Sequence, residues 1–98
     1  MSLKVGPLEV DPPVVLAPMA GVTNAAFRTL CRQFGAGLFV SEMVSARALC
    51  EDNGRTRQMV SFHDDEDVRS VQLYGVDPGW VGEAVRRVVD LGAHHIDL

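Results

Sequence analysis

Apolar residues recur along this chain in two alternating rhythms. Leu3 to Val10 reads Leu-Lys-Val-Gly-Pro-Leu-Glu-Val, two alternating stretches about Gly6-Pro7, and predicts a short hairpin ended by Pro12-Pro13. Val14 to Ala17 is an unbroken apolar run between prolines, the pattern of a strand buried on both faces of a parallel sheet. The period then lengthens. Phe27, Leu30, Cys31 and Phe34 recur at i, i+3, i+4 and i+7 and predict a helix with these four on one buried stripe, capped by Thr23 and stopped by Gly35. A second apolar strand, Leu38 to Ser41, leads into a helical region from Ser45 towards Val60, interrupted around Asn53-Gly54. Ser70 to Tyr74 is a third strand, closed by Gly75. Asp77 and Pro78 form an N-cap and N1 pair for a helix whose apolar face is Val81, Ala84, Val85 and Val88 and which ends at Gly92. His95 to Leu98 begins a fourth strand.

A hairpin followed by βαβαβαβ predicts an α/β fold, with four parallel strands, right-handed crossovers and helices covering the sheet. A doubly wound sheet and a (β/α)8 barrel share this pattern. A complete barrel takes about 250 residues, so on the barrel reading residues 1–98 are the N-terminal part of a single barrel domain, its first half. Composition adds that the chain folds: hydrophobic residues make up 47% and charged ones 22% of its 98 residues, near the globular average. The net charge of −4 excludes a self-contained basic nucleic-acid binder, so any RNA contact draws on residues elsewhere. Cys31 and Cys50 have no CxxC spacing, which signals neither a disulfide framework nor a zinc site, and a reducing cytoplasm fits best. The most apolar run, Val14 to Val22, contains Pro18 and Gly21 and falls far short of the roughly 20 residues that span a bilayer, so no membrane segment is expected. No apolar signal region follows Met1-Ser2-Leu3-Lys4.

Ligands of parallel α/β folds bind at the carboxyl ends of the strands. After the first parallel strand, Ala17-Pro18-Met19-Ala20-Gly21-Val22-Thr23 supplies small residues and free amide donors that suit a flat ligand, and suits an ordinary βα loop equally. After the second, Ser41 and Glu42 set a hydroxyl and a carboxylate on an apolar background, and a solvated strand end accounts for them as well. Gln72 is sharper, because an unsatisfied amide inside an apolar strand costs about 1–3 kcal/mol and must find a partner. Alternation puts Ser70, Gln72 and Tyr74 on one face and Val71 and Leu73 on the other. Facing a barrel interior, the Gln72 amide offers a donor and an acceptor to a heterocycle carrying C=O and N–H together; a bond to a neighbouring strand accounts for it as well. Asp97 either points inward or makes a structural hydrogen bond. His94 and His95 are adjacent and face opposite ways, His63 reads as a surface residue, and no metal site is expected. Asp64-Asp65-Glu66-Asp67 precedes a strand and so falls on the face opposite the ligand, as a solvated loop. Cys31 reads as a small core residue. Cys50 has no support as a nucleophile.

The stretches Val15 to Asn24 (VLAPMAGVTN), Ser41 to Ala46 (SEMVSA), Val71 to Gly75 (VQLYG) and His95 to Leu98 (HIDL), in that order, strongly resemble the tRNA-dihydrouridine synthases. The resemblance implies an N-terminal (β/α)8 barrel that holds FMN and a C-terminal helical domain that grips tRNA. It implies that Ala17, Pro18 and Met19 contact the flavin, that Gln72 bonds its pyrimidine edge, and that Glu42 lines the same pocket. NADPH then reduces the flavin, which passes hydride to C6 of a uracil flipped out of the tRNA, with a cysteine as general acid at C5. That cysteine belongs to an Asn-x-Gly-Cys-Pro motif expected just beyond Leu98. Cys31 and Cys50 do not match it, so these residues alone are expected to be inactive. Two other readings stay open. Another flavin barrel, resembling dihydroorotate dehydrogenase, shares the Gln72 logic but not APMAGVT followed by SEMVSA. A small non-catalytic α/β module that associates with itself through open sheet edges is the third.

Overall fold

Gly6 sets the first element, because its φ of 56° is a conformation that glycine takes without penalty at the head of a tight hairpin turn. In the computed structural model, which describes residues 1–98, the turn joins β1 (Leu3–Val5) to β2 (Leu8–Val10), antiparallel with Leu3 opposite Val10. The rest of the chain builds a four-stranded, wholly parallel sheet from β3 (Val15–Leu16), β4 (Leu38–Ser45), β5 (Ser70–Tyr74) and β6 (His95–Asp97). Its strand order is the chain order. A doubly wound sheet reverses direction at a switch point, whereas consecutive strands of a barrel never double back, so the order matches the expected half-barrel. The crossovers carry α1 (Ala25–Arg32), the pair α2 (Ala46–Cys50) and α3 (Gly54–Met59), and α4 (Pro78–Asp90).

Two clusters hold these elements. Val44, Val71 and Leu73 point to the helix side of the sheet and pack with Ala46, Leu49, Val60, Ala84 and Val88, all buried. Val10, Leu38 and Val40 form the second cluster with Val5 and Val68, which seats the hairpin against the start of β4. Gly37 is required there, since a Cβ would lie 2.2 Å from the Pro12 carbonyl oxygen and 2.5 Å from a Val10 methyl.

Several sequence expectations hold as written. Asp77 caps α4 by accepting the Gly79 and Trp80 amides, with Pro78 at the first turn. Asn53 caps α3 where an interruption was expected. Others need correction. The cap of α1 is Asn24, not Thr23: its Oδ1 accepts the Phe27 amide at 2.8 Å, the reach of a short side chain one residue before the helix. The expected buried stripe of α1 is largely open, with Leu30 53% and Phe34 83% exposed, and Cys31 is half-buried and not in the core. The helix instead turns Arg28 inward. Val15 and Val14 are also exposed, because β3 is an edge strand with a neighbour on one side only. The result is an apolar groove of about 290 Å³ between β3 and α1, lined by residues such as Val15, Cys31, Phe34 and Phe39. The strand expected to end at Ser41 runs on to Ser45, for a reason that matters to the site.

Candidate functional site

The loop after β3 is folded onto itself by one buried hydroxyl. The Thr23 Oγ1 accepts the Met19 amide at 2.9 Å and donates to the Met19 carbonyl at 3.1 Å, and the Thr23 amide donates to that same carbonyl. Gly21, at φ 75°, permits the turn between them. Its amide then donates to the Glu42 carboxylate at 2.5 Å, so a side chain from β4 clamps the loop that carries Ala17, Pro18 and Met19. Met19 is 40% exposed at the carboxyl end of the sheet.

Glu42 reaches across because β4 bulges. Val40 pairs with Ser70 and Met43 with Gln72, so two residues of β4, Ser41 and Glu42, stand against one of β5, Val71. The extra residue breaks strict alternation, which is why the apolar pattern stops at Ser41 although the strand continues. It leaves the Gln72 amide N–H facing the Ser41 hydroxyl at 3.3 Å, and Ser41 is fully buried and donates to the Glu42 carbonyl. It also returns Val44 to the helix side and puts Met43, 46% exposed, in register with Gln72.

Gln72 stands on the face away from the helices, opposite Val71 and Leu73. Its side chain has found a partner in the neighbouring strand: Nε2 donates to the Asp97 Oδ2 at 2.7 Å, from its register partner on β6. Ser70 and His95, one pleat below, are bonded at 2.8 Å. The remaining Nε2 hydrogen and the Oε1 of Gln72 make no protein hydrogen bond and are not sealed in the core. An edge with one donor and one acceptor is thus presented beside an apolar methionine, one strand away from the Glu42 clamp. These residues fit the imide edge of a flat heterocycle such as a flavin.

The other candidates lie apart from this face. His94 accepts the Arg69 amide through Nδ1, away from the His95 bond to Ser70, and His63 is exposed. No group of three His, Cys, Asp or Glu side chains is placed to hold a metal ion. No helix is long and apolar enough to cross a membrane. Cys50, at the end of α2, donates towards the Trp80 carbonyl at 3.7 Å; burial pushes its thiol up from the ordinary range, against the pull of Arg87. The acidic run is not wholly solvated, since Glu66 is buried and paired to Arg28. Sequence reasoning overlooked Met43 and Arg55. Arg55 lines a cleft of about 360 Å³ together with Asn24, Glu42 and Gln58, and it alone among the eight arginines has neither a hydrogen bond nor a ring beneath it.

The sequence profile of the family described as Dihydrouridine synthase (Dus) matches residues 15–98. The chain is 51% identical over 105 residues to the "Probable tRNA-dihydrouridine synthase" of Mycobacterium tuberculosis, covering 99% of this chain and 27% of that protein. It is 46% identical over 97 residues to the tRNA-dihydrouridine synthase B of Pseudomonas aeruginosa, covering 98% and 29%. To the tRNA-dihydrouridine synthase B of Shewanella oneidensis it is 42% identical over 96 residues, covering 98% and 30%. The chain spans less than a third of the length of these curated relatives.

Proposed function

This chain belongs to the dihydrouridine synthase family, and from that premise we propose that it forms the flavin-holding face of an enzyme that reduces uridine to 5,6-dihydrouridine in tRNA, with FMN as bound cofactor and NADPH as reductant. What carries the reading is the free donor–acceptor edge of Gln72, one strand away from the carboxylate that clamps the loop after β3. FMN, when bound, supplies the hydride. Gln72 bonds its pyrimidine edge, Ala17, Pro18 and Met19 form the backbone against which it lies, and Glu42 holds that backbone in place through Gly21. Arg55, the one arginine without a partner, gives the same end of the molecule a point of attraction for RNA phosphate on an otherwise acidic chain.

The general acid is proposed to come from outside these residues. Cys31 lies in the groove between β3 and α1, and Cys50 sits at the end of α2 with its thiol pushed up. Both lie on the helix side of the sheet, away from the face that carries Gln72. Residues 1–98 alone are therefore proposed to bind flavin without reducing uridine; the remaining strands of the barrel and a separate C-terminal helical domain that grips tRNA complete the enzyme. The reaction belongs in the cytoplasm, where tRNA and NADPH meet.

Titration of the chain with FMN, followed by quenching of flavin fluorescence, is expected to show saturable binding that Gln72→Leu weakens about tenfold or more. A wild-type chain that leaves flavin fluorescence unchanged at every concentration would sink the flavin assignment.

A further inference from the structure

We propose that Asp97 is the positioning residue that fixes which way round the Gln72 amide faces, and so makes the site select a ligand edge carrying adjacent N–H and C=O. This rests on the reading of Gln72 as the ligand-facing amide. A glutamine amide is nearly symmetric in shape, so its two orientations differ only through hydrogen bonds. An ionised carboxylate accepts and never donates. The 2.7 Å bond from Nε2 to Oδ2 therefore holds one orientation, since rotating the amide by half a turn would set Oε1 against a carboxylate oxygen. Gln72 and Asp97 are register partners on adjacent strands, on the face away from Val71. The strands thus supply the placement, and Asp97 decides only the orientation.

With one Nε2 hydrogen taken, Gln72 has one N–H and one C=O left to offer, in a fixed order along its edge. Their complement is an imide: N–H to meet Oε1, and C=O to meet the remaining Nε2 hydrogen. The pyrimidine ring of a flavin carries that pair. A ligand methylated at the imide nitrogen loses the donor and brings a methyl against Oε1, so it is rejected while the orientation stays fixed.

The test compares FMN with its N3-methyl analogue on the wild-type chain, on Asp97→Asn and on Gln72→Leu. Asparagine is isosteric but can donate as well as accept, so the Gln72 amide is free to turn. Asp97→Asn is expected to keep the wild-type far-UV dichroism, to weaken FMN binding about tenfold, and to lose most of the preference for FMN over the methylated analogue. On the Gln72→Leu background the same change is expected to do nothing further, because Asp97 acts through Gln72. Unchanged affinity and unchanged preference in Asp97→Asn overturn the proposal, as does an equal loss on the Gln72→Leu background.

Side-chain amide NMR of Gln72 separates this proposal from the flavin reading and needs no ligand. Two well-resolved Nε2 proton signals, one of them shifted by the carboxylate, are expected in the wild type, and loss of that shift in Asp97→Asn. If the wild type binds neither flavin but shows this pattern, the flavin reading falls and the positioning role stands. If the two proteins give the same amide signals, the positioning role falls whatever binds. Should Asp97→Asn fail to fold, Asp97→Ser is read by the same criteria.

Discussion

Arg28 and Glu66 make the one ion pair in this chain that water does not reach, their side chains 1% and 5% exposed. Nε and Nη2 of Arg28 bond both carboxylate oxygens, Nη1 donates to the Thr23 carbonyl, and Nη2 also donates to that of Ser61. The guanidinium lies over the Phe62 ring as well. All three guanidinium nitrogens donate, which is what makes a buried charge tolerable, and removing one partner leaves the other uncompensated. Arg28→Met should cost about 3–5 kcal/mol in urea denaturation, and adding Glu66→Leu should recover much of it. A single variant as stable as the wild type would show that Glu66 is not sealed in. The sequence gives no sign of this pair, since its partners lie 38 residues apart and Glu66 reads as one of four acids in a loop. Gln72 is the opposite case: an amide in an apolar strand announced itself, and alternation alone assigned its face. At Cys50 the raised thiol means little thiolate at neutral pH. Alkylation is expected to be slower than that of free cysteine at pH 7 and to accelerate only as the pH passes above the ordinary thiol range.

Among the elements, α4 was the most fully legible, because its cap, first-turn proline, apolar face and terminal glycine are all local signals. Hydrogen bonds from Arg86 and Arg87 hold the Glu83 carboxyl below its ordinary range. A carboxyl lowered on folding adds stability above its unfolded value and loses it as the pH falls through the folded one. Carbon-13 titration of Glu83 should give a midpoint below that of a free glutamate, returning to it in the Arg86→Ala, Arg87→Ala double variant. The bulge in β4 was not legible, since an inserted residue looks the same as the end of an alternating run. Whether a chain bulges or stops depends on the neighbouring strand, here the pairing of Met43 with Gln72. Gly37 shows the same dependence. Its neighbours Pro12 and Val10 come from the hairpin, and Gly37→Ala is expected to lower stability by about 1–3 kcal/mol through overpacking. Thermal melting reads this directly; no change in midpoint would mean that the hairpin does not press on β4.

At the scale of the whole molecule, the sheet has a free edge at β3 and another at β6. Only 17 of 98 residues are buried, and the groove beside Phe34 and Val15 is open, so much of the apolar surface that the pattern meant for a core faces solvent. Unpaired strand edges and an exposed apolar patch favour association. Sedimentation velocity of the 98-residue chain should therefore show species heavier than 10.7 kDa, increasing with concentration. A single species of that mass at high concentration would contradict this.

Local pattern determined the class of the fold, the order of its strands and helices, the cap at Asp77, the break at Asn53-Gly54, and the family through motifs spread along the chain, because each of these depends on residues near one another. Only the tertiary structure decided which face of α1 turns inward, that Glu66 answers Arg28, that β4 carries an extra residue so that Glu42 clamps Gly21, and that Asp97 takes one hydrogen of Gln72. Those outcomes join residues far apart in sequence, and hydrogen bonds between strands and loops leave no period for a sequence to display.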